Sequence, residues 1–126
     1  MTMTKVIYCF SLFGFLWVFS SCGTTIDRNP ALYGRWEGKE WLVNGQPSQQ
    51  DPSKIFFEFR EDGTYSAGYR TEGEKGSWRT DHDKLYTTAE GKKEKVVRIQ
   101  FEGPIGLTFE MNRGGVPETM KLIKAQ

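Results

Sequence analysis

From residue 32 to the C-terminus, apolar and polar residues alternate in short runs, the period-two pattern of strands with one buried face. Residues 34–43 (GRWEGKEWLV) form the first run, which stops at Asn44-Gly45, a strong hairpin signal. In residues 54–60 (KIFFEFR), Ile55, Phe57 and Phe59 share one face, and Lys54, Glu58 and Arg60 share the other. Glu61-Asp62-Gly63 turns the chain into residues 64–70 (TYSAGYR). Gly73 and Gly76 bracket the next reversal, leading into 76–80 (GSWRT). A turn over 81–84 precedes 85–88 (LYTT), and a charged loop over 90–94 follows. Val97, Ile99 and Phe101 then alternate with Arg98 and Gln100. Beyond Gly103-Pro104, Leu107, Phe109 and Met111 alternate with Thr108, Glu110 and Asn112. Gly114, Gly115 and Pro117 form the last turn, and residues 118–125 (ETMKLIKA) fit either a strand or a helical turn.

These runs predict an all-β domain of eight strands joined by short turns. Parallel pairing needs crossovers of about a dozen residues or more, which the chain lacks, so the order is antiparallel. Eight strands can close on themselves and remove their exposed edges. The expected architecture is an eight-stranded antiparallel up-and-down β-barrel, with a two-sheet sandwich as the competing arrangement. A barrel of this size is just wide enough to be filled by side chains or to hold one small ligand.

Ahead of this domain the pattern is different. Val6 to Phe19 (VIYCFSLFGFLWVF) is apolar on every side, follows Lys5, and ends at Ser20, Ser21 and Cys22. A basic head, an apolar stretch and small residues before a cleavage point make a secretory signal peptide, expected over residues 1–21. The run is shorter than the roughly 20 residues that a spanning helix needs. Phe19-Ser20-Ser21-Cys22 resembles a lipobox of the form found in Bacteroidetes lipoproteins, with Phe19 in place of the usual Leu. That resemblance implies lipidation of Cys22 and a membrane anchor through it; ordinary secretion with a free thiol is the alternative. Each buried methylene of such an anchor adds about 0.8 kcal/mol.

Removal of residues 1–21 leaves 105 residues, enough for one domain, with 16 basic residues against 16 acidic ones. No basic stripe is implied, which argues against nucleic acid as a partner. Cys22 is then the sole cysteine, so no disulfide within the chain supports the fold and the core must. Residues 22–31, the lipidated Cys followed by GTTIDRNPA, read as a flexible tether, and 32–126 as the barrel. Lipoproteins of this type that reach the cell surface often carry an acidic run after the Cys. Here Gly-Thr-Thr-Ile follows, pointing to the cell envelope and the periplasmic face of the outer membrane.

Gly34-Arg35-Trp36 on the first strand matches the Gly-x-Trp motif of the lipocalin group. Phe57-Glu58-Phe59 with Asp62-Gly63-Thr64-Tyr65, then Gly76-Ser77-Trp78 with Asp83-Lys84-Leu85, is similar to small lipocalin-like domains of Bacteroidetes lipoproteins. The resemblance implies an up-and-down barrel closed at one end by Trp36, with Lys121 or Lys124 in the place of the basic residue that packs over that Trp. It also implies binding of a small apolar ligand at the barrel mouth. The alternative is a tethered protein-binding module such as a periplasmic protease inhibitor.

Trp36, Phe57, Phe59, Tyr65, Trp78, Phe101 and Phe109 are the candidate lining of the interior, whether as a pocket or as a filled core. Phe56 and Trp41 fall on the opposite parity from these and are expected outside, on a partner surface or under a loop. Asp81-His82-Asp83 is the one place where imidazole and carboxylates crowd together, and neighbours on a turn point apart, so no metal is expected there. No nucleophile motif or Cys–His pair is present, and Glu58 and Glu110 alternate opposite the apolar face. Neither catalysis nor a cofactor is expected.

Overall fold

The computed structural model describes residues 26–126. The expected signal peptide and Cys22 lie outside this range.

Among the described residues the first element is a short 3-10 turn, Pro30–Leu32, capped by Asn29, whose Oδ1 accepts from Ala31 N at 3.0 Å. Nine strands follow: β1 (Gly34–Val43), β2 (Gln46–Pro47), β3 (Ile55–Phe59), β4 (Thr64–Tyr69), β5 (Glu72–Asp81), β6 (Lys84–Ala89), β7 (Lys95–Glu102), β8 (Gly106–Arg113) and β9 (Val116–Lys124). All neighbours are antiparallel, and β1 pairs with β9. The eight long strands, β1 and β3–β9, therefore close into the expected up-and-down barrel rather than a two-sheet sandwich. The ambiguous last segment resolves as part of strand β9 as far as Lys124, because its face of Met120 and Leu122 seals the core at the closing seam.

β2 is a short addition. Asn44 and Gly45 adopt φ of 52° and 77°, the left-handed pair a tight hairpin requires, and Val43 pairs with Gln46. Pro47 lacks the N–H to continue the ladder. A second 3-10 turn, Pro52–Lys54, then crosses the edge of β1 on the way to β3. Its Pro52 carbonyl sits where a Cβ on Gly38 would stand, so only glycine fits there.

Two sequence expectations change. The reversal before β5 falls at Arg70 and Thr71, with Arg70 at φ 58°, and β5 begins at Glu72 rather than at Gly76. Charged residues in the first half of β5 mask its alternation. Second, the β1–β9 register slips between Gly38 and Glu40, a β-bulge around Lys39. One extra residue reverses the parity of everything after it. Trp41 therefore shares the inward face with Trp36 and packs against the core. Phe56 does face outward, half-buried beneath the Arg35 guanidinium at 4.4 Å.

The core is concentrated at one end. Leu32, Trp36, Phe59, Tyr65, Trp78, Leu85, Leu107, Phe109 and Leu122 are each at most 2 % exposed. The residues before β1 close this end from outside. Thr80 N donates to Asp27 O at 2.8 Å, Asn29 N to Thr80 Oγ1 at 2.9 Å, and Arg28 Nε to Trp78 O at 3.0 Å. Residues 27–29, assigned from sequence to the tether, are thus bonded to β5.

Candidate ligand-binding cavity

The two barrel ends differ in chemistry. At the closed end Trp36 is fully buried, and its Nε1 donates to Leu32 O at 2.9 Å. Lys124, from the last strand, holds Nζ 5.7 Å from the centre of the Trp36 ring. Lys121 pairs with Thr108 of β8 and Glu40 of β1, on the parity opposite Leu122 and Lys124. Phe101 packs on Trp36 with ring centres 6.5 Å apart, and Phe59 meets Trp78 edge-on at 5.2 Å. This half holds side chains throughout.

At the other end, β1, the β4–β5 turn, the loop after β6 and the β8–β9 turn surround an opening. A cavity of ≈ 460 Å³ lies inside, lined by Phe57, Leu85, Val96, Val97, Phe109, Met111 and Met120 as its apolar part. Glu74, Thr87, Lys95, Asn112 and Arg113 are its polar part. Trp41, Ile55, Ala67 and Tyr69 line an adjoining recess on the opposite wall. Such a volume, with an apolar floor and a few polar groups, falls in the range of about 300–1,000 Å³ typical of small-molecule sites.

Three groups set the electrostatics. Tyr65 Oη donates to Glu74 Oε1 at 3.3 Å, below the mouth. Burial, and then the nearby Glu74 charge, push the Tyr65 hydroxyl up to about 12. Among the described residues Glu118 is the one buried acid, 8 % exposed, and Arg113 Nε lies 2.7 Å from its Oε2. A buried carboxylate without such a partner would be strongly disfavoured. Lys92 Nζ stands 3.8 Å from Glu74 Oε2, and both bridging cations are mostly exposed at the rim.

Of the residues singled out from sequence, Phe57 and Phe109 line the cavity, with ring centres 5.0 Å apart and planes at 85°. Phe59, Tyr65 and Trp78 lie beneath it, linked ring to ring, while Trp36 and Phe101 lie at the closed end. Of the cavity residues, the sequence reading missed Glu74, Leu85, Thr87, Lys95, Val96, Val97, Met111, Asn112, Arg113 and Met120, and it missed Trp41 in the adjoining recess. Trp41 was hidden by the bulge and Glu74 by the misplaced start of β5. Val97, Met111 and Met120 do carry the inward alternation, and only the closed barrel gathers them.

The other candidates lie apart from this cavity. Asp81, His82 and Asp83 sit on the β5–β6 turn, where His82 Nδ1 is 2.7 Å from Asp81 Oδ1 and its side chain is 93 % exposed. Asp83 instead faces Arg98 at 3.4 Å. Glu58 lies on the outer face beside Arg60, and Glu110 is exposed. Among the described residues no cluster of His, Cys, Asp or Glu suited to a metal occurs, and no helix is long and apolar enough to cross a membrane.

A closed, antiparallel, eight-stranded barrel in this order fits a calycin-like fold. Scanned against protein-family models and searched against curated proteins, the sequence matches none.

Proposed function

We propose that this chain is a non-catalytic, calycin-like binding module that takes one small, largely apolar molecule into the open end of its barrel while tethered to a membrane through Cys22. The observation that carries the reading is the contrast between the ends. One is filled and capped by Trp36 and the 3-10 turn, and the other opens on ≈ 460 Å³ of apolar floor with a polar rim. The Trp41 indole N–H, buried and without an acceptor among the described residues, adds a group that a ligand oxygen would satisfy.

The anchor rests on the signal peptide and lipobox, with the periplasmic face of the outer membrane as its place. The pinning of Asp27 to β5 supports a definite orientation. Residues 23–26 alone would separate Cys22 from the barrel, a reach of about 14 Å at full extension. The closed end would then face the lipid and the mouth would face away from it.

Titration with 1-aminoanthracene tests the reading, with a gain in fluorescence expected on burial. Met111→Trp, which fills the cavity, should weaken binding at least about tenfold without lowering the melting temperature by more than a few degrees. Absence of dye binding, or binding indifferent to that substitution, would refute it.

A further inference from the structure

One seam of the barrel wall is left open toward the mouth. β7 and β8 pair from Glu102↔Gly106 up to Arg98↔Glu110. Both strands continue for three residues more, Lys95 to Val97 and Met111 to Arg113, with no ladder between them. Their outer edges stay zipped. Lys95, Val96 and Val97 pair with Thr87, Tyr86 and Leu85 of β6. Met111, Asn112 and Arg113 pair with Glu118, Pro117 and Val116 of β9. The parting is thus local to this seam and is not fraying of either strand. A comparable break between β1 and β3, above Glu37, is crossed by the chain's own turn at Pro52.

The seam separates two concavities. Val96, Val97, Met111 and Asn112 line both the cavity inside and a groove of ≈ 520 Å³ on the outer surface. Val97 and Met111 continue the inward parity of Ile99 and Phe109, whereas Val96 and Asn112 turn outward. Val96 is 53 % exposed, a large apolar side chain standing at the outer lip. Wherever a ladder is complete, opening the wall breaks backbone hydrogen bonds. Here no ladder hydrogen bonds stand in the way, and Met111 is among the most adaptable of side chains.

We propose that the ligand site continues through this seam, and that its occupant is an elongated amphiphile. The apolar part lies in the cavity, and the polar end emerges between β7 and β8 onto the groove. There Lys84, Arg98, Asn112 and Thr119, with Glu110, offer charges and hydrogen bonds. The proposal rests on the cavity reading and adds to it the shape and polarity of the ligand. Two features of the seam favour threading over simple capping at the mouth. The gap lies directly beside the apolar floor, and its unpaired backbone groups can hydrogen-bond a polar segment passing between them.

Bridging the seam tests this. In the full chain with Cys9→Ser and Cys22→Ser, Val96→Cys and Asn112→Cys supply the only two thiols, to be joined as a disulfide or by a short bis-maleimide. The unbridged dithiol serves as the folded control. Two probes are compared: compact 1-aminoanthracene, and the long-chain 11-(dansylamino)undecanoic acid. Bridging should leave the Kd of the compact probe within about twofold and raise that of the long probe at least about tenfold, reversibly for the disulfide. Equal affinities for the long probe before and after bridging would overturn the proposal, as would loss of both probes together. If neither probe binds the chain with Val96 and Asn112 intact, the cavity reading itself fails, a result distinct from failure of the seam.

Discussion

Trp36 joins three parts of the chain through one side chain: the 3-10 turn through Leu32, β7 through Phe101 and the last strand through Lys124. Trp36→Ala should cost about 3–5 kcal/mol, read from the urea midpoint, because a large buried ring leaves a hole that the barrel cannot collapse. Lys124→Met should cost under about 1 kcal/mol, the scale of a partly exposed cation–π contact. Tyr65 makes a prediction in pH. Its hydroxyl is raised in the folded state, so the associated stability is whole below the ordinary tyrosine value near 10 and is lost as pH climbs toward about 12. Tyr65→Phe should flatten the fall in melting temperature over that window. Asp62 works in the opposite direction, held low by hydrogen bonds from the Thr64 hydroxyl and backbone N–H. Its contribution is present above the usual aspartate value and is lost as pH falls through the lowered one, so Asp62→Ala should matter near neutrality and little in strong acid.

Among the elements, β1 shows how far one residue can reach. The bulge around Lys39 lets Trp36 and Trp41 point inward on the same strand although five positions separate them. Bulges also sharpen the local twist, which helps a sheet curl to closure. Deleting Lys39 removes the extra residue and leaves the two tryptophans four positions apart, so that strict alternation keeps both inward without a bulge. The expected readouts are unchanged tryptophan emission and retained 1-aminoanthracene binding; a red-shifted emission would contradict the bulge as the cause. β5 carries the complementary lesson. Trp78, Gly76 and Glu74 share one face, but Glu72-Gly73-Glu74-Lys75 lacks the apolar residues that announce a strand. Pairing with β4 holds it extended from Glu72 onward, and this is how a carboxylate comes to stand at the cavity.

At the scale of the molecule, the barrel is polar in the sense of having two unlike ends, and the chain leaves toward Cys22 from the filled one. If the anchor holds that end against lipid, a thiol placed by Gly115→Cys at the mouth should react with a bulky maleimide on intact proteoliposomes. One placed by Glu61→Cys at the closed end should react several-fold more slowly, and equal rates would remove the orientation. Cys22→Ser should release the protein into the soluble fraction, and persistence on the membrane at unchanged mass would end the lipoprotein reading.

The sequence by itself determined the strand class, the antiparallel order, most strand positions and the burial of Trp36, Phe59, Tyr65, Trp78 and Phe109. Each follows from local alternation and turn chemistry, which a chain carries whatever its partners. Only the tertiary structure decided the register at which β1 closes onto β9, that a bulge turns Trp41 inward, and that Lys124 is the lysine over Trp36. The same holds for the division of the interior into a filled half and an open one. Alternation states which side of a strand is buried, and nothing about what stands opposite. Whether facing side chains meet or leave a cavity depends on register and curvature summed around the whole barrel, as does the point at which β7 and β8 part.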